Sequence, residues 1–248
     1  MSYGTEELFS RQIPVFTKEG QQKIRETTIL IIGVGGLGST VSTVLSRSGV
    51  GHLVIVDFDT VSLSNIHRQL LYCPDDIGKA KVEAASQNPL LCLSKITPLT
   101  MRIDQDAVEK LIKEYNPFCI MDCTDNFSVR YATNAACAKH SIPFVFGSVT
   151  AEMGQISVFC RTKESPNCPC FSCIHPDPPK PYDGPPPVIP GICTIVGTLQ
   201  AQQALAMITG VGDVLVGELL TVDLIRLRFR RFKIRDRKSD CIVCNKSN

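Results

Sequence analysis

An apolar run, Ile29 to Ile32, is followed at once by Gly33, Gly35 and Gly38, and a helical pattern opens at Leu37. The run has the composition of a buried parallel strand. Glycines let the backbone turn tightly and approach a phosphate, and a helix N-terminus offers unpaired N–H donors and the positive end of its dipole. Asp57 lies 24 positions beyond Gly33, at the end of a second apolar segment, His52 to Val56. In a doubly wound fold an acid there meets a ribose hydroxyl. The glycine spacing alone is weak evidence. Strand, glycines, helix, strand and acid in register point to a bound nucleotide.

The residues that follow narrow the chemistry. Asp59, Asn65, Arg68, Gln69 and Lys81 come next, and a further apolar strand, Phe118 to Met121, runs into Asp122-Cys-Thr-Asp125-Asn126. Hydride transfer has little use for so many cations beside its cofactor. A triphosphate needs them: arginine and lysine neutralise phosphate charge, and a strand-end carboxylate holds Mg²⁺. The pattern favours adenylyl transfer from ATP, with an NAD-linked dehydrogenase as the rival at the level of fold. Taken as residues alone, Arg68 and Lys81 also fit solvated surface charges, and Arg130 a helix-surface cation. Asp125 equally fits an N-cap for the helix starting at Asn126.

Cys170-x-x-Cys173 and Cys241-x-x-Cys244 form a second constellation. Two such pairs supply four thiolates to a tetrahedral Zn²⁺, which would tie a mid-chain segment to the C-terminal region. With every coordination position filled, the metal would be structural. Free thiols or a redox pair are the alternatives. The chain holds 12 cysteines in 248 residues, and its first residues lack the basic and apolar stretches of a secretory signal. No uncharged apolar run of about 18 residues predicts a membrane span. Reduced thiols and a cytoplasmic setting are expected. The net charge of +2 favours no class of partner.

These residues must be positioned by alternating strands and helices. The patterning predicts a helical lead-in over 1–27, anchored by Phe9, Ile13 and Phe16, and a nucleotide-binding core over 28–160. Core strands are expected at about 28–32, 52–57, 96–101, 118–122, 143–147 and 154–160, with helices at 37–48, 79–87, 104–115 and 127–140. The proline-rich stretch within 161–190 reads as a stiff crossover. Residues 191–248 hold a helix over 192–208, strands at 214–223 and 225–234, and the second cysteine pair. In the last strand the alternation shifts phase at Arg231, which predicts a bulge. The expected whole is one α/β unit: a doubly wound, Rossmann-like, mainly parallel sheet with antiparallel C-terminal strands. Ligands in such sheets sit beyond the strands' carboxyl ends, where Gly33, Asp57 and Asp125 converge.

Five motifs in order carry a family resemblance: Ser10-Arg-Gln-Ile13, Gly33 to Gly38, Asp57 to Gln69, Gly78-Lys-Ala-Lys81 and Asp122 to Asn126. Together they resemble the ThiF/MoeB/HesA family, relatives of ubiquitin-activating enzymes, from about Glu7 to Cys244. The resemblance implies adenylation, by ATP·Mg, of the C-terminal glycine of a small ubiquitin-like or sulfur-carrier protein of ThiS or MoaD type. Pyrophosphate is released, and thiocarboxylate formation for thiamine or molybdopterin follows, with a sulfurtransferase as a further partner. It implies nucleotide contacts from Gly33, Gly35, Gly36, Gly38, Asp57, Asp59, Asn65, Gln69 and Asn126. Arg68 and Lys81 would act on the phosphates, Asp125 would hold Mg²⁺, and the four cysteines Zn²⁺. In family homodimers Arg11 would reach into the partner's site; the alternative is a solvated helix residue. Other relatives adenylate a peptide or modify a tRNA base, and some are non-catalytic halves of heterodimers.

One departure matters. Thiol-using relatives carry a cysteine in the crossover, and counting back from Gly197-Thr-Leu-Gln200 lands on Asp183-Gly184. Cys193, at the start of the next helix, could be activated there, but its Ile-Cys-Thr-Ile-Val setting reads as buried; Cys168 is a weaker candidate. Adenylation without an enzyme thioester is expected. The basic stretch Arg226 to Lys238 reads as a charge-protected edge strand, with docking of an acidic ubiquitin-like partner next. Only Phe229 and Phe232 offer stacking there, so nucleic acid is disfavoured.

Overall fold

The computed structural model describes residues 4–161, 165, 167–177, 184–234 and 236–244. Its helices are α1 (Thr5–Leu8), α2 (Ile13–Glu26), α3 (Gly36–Arg47), α4 (Lys81–Ser86), α5 (Gln105–Tyr115), α6 (Phe127–His140), α7 (Phe171–Ile174) and α8 (Pro190–Thr209). Its strands are β1 (Thr28–Ile32), β2 (His52–Val56), β3 (Lys95–Leu99), β4 (Cys119–Asp122), β5 (Phe144–Thr150), β6 (Met153–Phe159), β7 (Glu218–Asp223) and β8 (Arg228–Lys233). They form one sheet in the order β3-β2-β1-β4-β5-β6-β7-β8. The first five are parallel and the last three antiparallel.

The apolar run of β1 is continuous because both faces of the sheet are covered. Ile29 and Ile31 pack with α3 and α8, whereas Leu30 and Ile32 pack with residues of α5 and α6. The α3–α8 contact is close. A Cβ at Gly197 would lie 2.8 Å from Thr40 Cβ and 2.9 Å from Leu37 O. Cys193 faces Gly36 one turn earlier, so the two helices run in the same direction and open at the same edge. By length and composition α8 could cross a membrane, but it lies in this core, with 61% of its most apolar window buried.

Several boundaries differ from the expected ones. α2 is broken at Thr17, whose φ is 65°; the Thr17 hydroxyl accepts the Gly20 N–H at 3.1 Å and starts the second segment. β7 begins at Glu218, because Val214 to Gly217 form only a bridge from Val216 to Val158. The last strand starts at Arg228, since Ile225 to Leu227 belong to the turn, where Leu227 has φ 52°. No bulge occurs at Arg231: pairing is unbroken from Glu218 with Lys233 to Asp223 with Arg228. All six residues of β8 are exposed, so their alternation reports no buried face. Within the crossover, residues 178–183, including Asp183, lie outside the described residues, as does Arg235 of the basic stretch.

The turn after β1 depends on absent side chains. Gly33 has φ 89°, and a Cβ at Gly38 would lie 1.9 Å from Gly33 O. Gly38→Ala is expected to lower the unfolding free energy by about 1–3 kcal/mol through overpacking. Urea titration checks this against Gly4→Ala, where nothing lies within 4 Å; equal midpoints for the two variants would contradict it.

Candidate functional site

Three strand ends build the crest. The Asp57 carboxylate, at the end of β2, accepts the Val34 N–H at 2.8 Å and the Asp59 N–H at 2.9 Å. It therefore shapes the glycine loop, and its remaining lone pairs leave capacity for a ribose hydroxyl. The Tyr72 hydroxyl donates to Val34 O at 2.7 Å. Burial, then the charges of Asp57 and Asp76, pushes that phenol far up, so it stays a donor. Sequence reasoning passed over Tyr72, because an isolated tyrosine after two leucines carries no spacing signal.

The segment from Asn65 to Lys81 folds back onto this loop. Gln69 is buried, and its Nε2 lies 3.5 Å from where a Cβ of Gly35 would sit, while its Oε1 has no partner among the described residues. Arg68 Cγ lies 3.8 Å from the corresponding point at Gly36. Its guanidinium donates to Ser64 O at 2.7 Å and lies 2.9 Å from His67 Nε2. Lys81 is buried, not a free surface charge, and its Nζ lies 3.0 Å from Asp59 Oδ2. The Asn65 side chain holds the preceding turn by accepting the Ser62 N–H at 3.2 Å. Arg68, Gln69, Lys81 and Asp59 are thus gathered around the glycine loop and the end of β2, with Asn65 bracing their segment.

At the end of β4 the two aspartates part company. Asp122 is buried and accepts from Thr124 N–H and Oγ1 and from Arg130 Nε, the last at 2.5 Å. Arg130 is 2% exposed, which corrects its assignment as a helix-surface cation. It also donates to Thr124 O at 2.6 Å and Gly147 O at 3.1 Å. Asp125 is exposed and forms no hydrogen bond or ion pair among the described residues. It is not the cap of α6 either. Asn126 takes that role, its side chain accepting the Ser128 and Val129 N–H groups. A carboxylate left open beside the glycine loop is what a divalent cation on a triphosphate requires.

Arg11 is not part of its own chain's crest. The Phe9 ring packs on Gly49, and Gln12 Nε2 donates to Ser48 O at 2.9 Å. Both contacts lie beyond the C-terminal end of α3, whose 12 residues span about 18 Å from Gly36. Cys193 is buried against Gly36, and burial pushes its thiol up despite the nearby Arg68 charge. Cys168 is likewise buried, with its thiol pushed up by burial. Neither has the exposed, electropositive setting of a reactive thiol.

The four predicted metal-ligating cysteines do converge. Their sulfurs all lie within 4.8 Å of one another, with Cys170–Cys173 at 4.0 Å, Cys170–Cys241 at 3.7 Å and Cys173–Cys244 at 3.4 Å. A tetrahedral Zn–S shell of ~2.3 Å needs sulfur–sulfur edges of about 3.8 Å. Burial pushes Cys170 up to about 11. It pushes Cys241 up too, but hydrogen bonds from the Cys244 and Val243 N–H groups, together with those from the Cys173 and Cys244 thiols, outweigh it and bring that thiol down to about 7. All 12 cysteines are free, so the cluster is no disulfide pair. Four clustered sulfurs with no open position fit a closed, structural centre.

A glycine loop, a helix N-terminus and a strand-end acid on a doubly wound sheet define a nucleotide-binding α/β protein. The chain belongs to the ThiF family, whose description matches residues 9–243. It is 36% identical over 246 residues to the adenylyltransferase and sulfurtransferase MOCS3 of Caenorhabditis briggsae, covering 95% of this chain and 60% of that protein. It is 35% identical over 248 residues to MOCS3 of Drosophila ananassae, covering 96% of this chain and 53% of that relative. The chain thus spans little more than half the length of these relatives. Its fold matches crystal structures of E. coli MccB. The one with MccA-N7isoASN has a TM-score of 0.84 at 18% identity, covering 99% of this chain and 76% of that one. The one with ATP has a TM-score of 0.82 at 19% identity, covering 96% and 74%.

Burial of Cys193 leads to a direct expectation. Iodoacetamide at neutral pH should label the exposed Cys73 and Cys92 and spare Cys193 until the chain is unfolded. Peptide mass mapping reads this, and rapid native labelling of Cys193 would contradict the buried-thiol assignment.

Proposed function

We propose that this chain is an ATP-dependent adenylyltransferase acting on the C-terminal glycine carboxylate of a small ubiquitin-like or sulfur-carrier protein. The observation that carries this reading is the gathering of Arg68, Gln69 and the Lys81–Asp59 pair around the glycine loop, with Asp125 open on the neighbouring strand end. The naming of relatives as adenylyltransferase and sulfurtransferase supports it.

In this reading the first N–H groups of α3 and the charges of Arg68 and Lys81 receive the phosphates. The tail carboxylate oxygen forms a bond to the α-phosphorus while the bond to the bridging oxygen breaks. Pyrophosphate leaves with that electron pair, and cationic side chains fixed beforehand stabilise the charge that moves onto it. Asp57 orients the ribose. Asp125 would hold Mg²⁺, which would supply neutralising charge to the leaving phosphates. The four cysteines hold a structural Zn²⁺. Because Cys193 is buried, the acyl adenylate is the enzyme's product and no enzyme thioester forms. The product is then ready for thiocarboxylate formation by a separate sulfurtransferase, in a thiamine or molybdopterin route. Twelve free thiols fit a cytoplasmic setting. A second reading, adenylation of a peptide, draws on the likeness in fold to MccB. A non-catalytic subunit is disfavoured, since such a subunit has no need of the whole phosphate-handling set.

ATP–pyrophosphate exchange with candidate carriers tests the reading. Arg68→Ala and Asp125→Ala are each expected to lower exchange by about 10²–10³-fold, the scale of losing one transition-state charge partner. Exchange that Asp125→Ala leaves unchanged would remove the magnesium assignment.

The position of Arg11 generates a separate expectation. In a homodimer with Arg11 acting in trans, Arg11→Ala and Asp125→Ala proteins are each inactive alone. Mixed and re-paired, they regain exchange, because one site per heterodimer is intact. No recovery on mixing would count against a role in trans.

A further inference from the structure

One helix connects the crest to the four-cysteine centre. At the N-terminus of α6 stand Asp125 and the cap Asn126, and Arg130 fastens its next turn to Asp122. The following positions on α6, Tyr131 and Asn134, lie three residues apart and share a face. The Tyr131 hydroxyl donates to His175 O at 2.7 Å. Asn134 is 1% exposed. Its Oδ1 accepts the Phe171 N–H at 2.9 Å, and its Nδ2 donates to Ser172 Oγ at 3.0 Å. Phe171 itself is fully buried, with its ring centroid 5.3 Å from those of both Tyr131 and Phe146.

The segment from Cys170 to His175 therefore hangs on α6 through three hydrogen bonds, and two of them come from a single asparagine. A metal knuckle binds well only if its sulfurs are held in place before the ion arrives, and partners just outside the ligands supply that order. We infer that Asn134 is the positioning residue of the four-cysteine centre. It presents Cys170 and Cys173 to the ion, and it passes the state of that centre along α6 to Asp125 and Asn126 at the crest. The inference rests on the metal-binding part of the proposed function and extends it to a residue outside the ligand set.

Zinc alone is the probe, with affinity measured by chelator competition and α6 mobility by amide hydrogen exchange on the full chain. The unaltered protein should bind zinc and show slower exchange over residues 126–134 when loaded; no binding by the unaltered protein would dispose of the metal reading itself. Asn134→Ala is expected to bind zinc about 10–100-fold more weakly, the usual effect of losing such a partner, and to show a smaller gain in α6 protection on loading. A merely structural asparagine would lower metal-free and metal-loaded stability alike and leave zinc affinity unchanged, and that result overturns the inference. Asn134→Asp keeps the acceptor for the Phe171 N–H while losing the donor toward Ser172. It guards against simple misfolding. It too should bind zinc more weakly, and parent-like affinity in a folded Asn134→Asp protein also overturns the inference.

Discussion

The buried guanidinium of Arg130 is the interaction on which the crest depends. It holds the Asp122 carboxylate, Thr124 O and Gly147 O, and so joins the end of β4 and the middle of β5 to α6. Its carbon lies 4.8 Å from the Phe146 ring centroid and 5.2 Å from that of Phe127. Desolvating two charges is costly, and only complete pairing offsets it. Here both Asp122 oxygens and the Nε and Nη2 groups of Arg130 are paired, and the consequence is positional. With Asp122 drawn inward, the turn after it leaves Asp125 outside, facing the same crest as the glycine loop. An exposed carboxylate and a carboxylate for the core are thus supplied by one five-residue motif.

Close approach is the second constraint. Gly33 stands against Cys123, Gly38 against Gly33, Gly36 against Cys193 and Gly197 against α3. These contacts bring the N-termini of α3 and α8 to one edge of the sheet, where α6 also begins. Three helix N-termini at one sheet edge favour an anion there before any side chain is counted. The same crowding buries the Cys193 thiol against Gly36, beneath the glycine loop.

Much of the fold was legible because its signals are local. β1 and β2 read as apolar runs, α5 and α6 as periodic segments ended by Asn116 and Ser141 in left-handed conformation, and α8 ended at Gly210. The edges were less legible. The phase shift in β8 looked like a bulge only on the premise that one face is buried, and none is. The four cysteines were legible because pairs of C-x-x-C carry ligand spacing in the chain itself. Asn134 and Tyr72 were not, since a single polar residue in a helix or after a leucine pair has no partner visible in one dimension.

The amino-acid order by itself determined the strand, glycine loop and helix, the set of cationic, amide and acidic residue types that follows them and the four sulfurs, since each depends on neighbours within a few positions or on residue type alone. Tertiary structure decided which aspartate of Asp122 and Asp125 goes inward, that Arg130 and Lys81 are buried, and that Arg11 sits at the far end of α3 from its own glycine loop. Those outcomes depend on which distant backbone groups come within hydrogen-bond reach, and burial of a charge is settled only when all its partners arrive together.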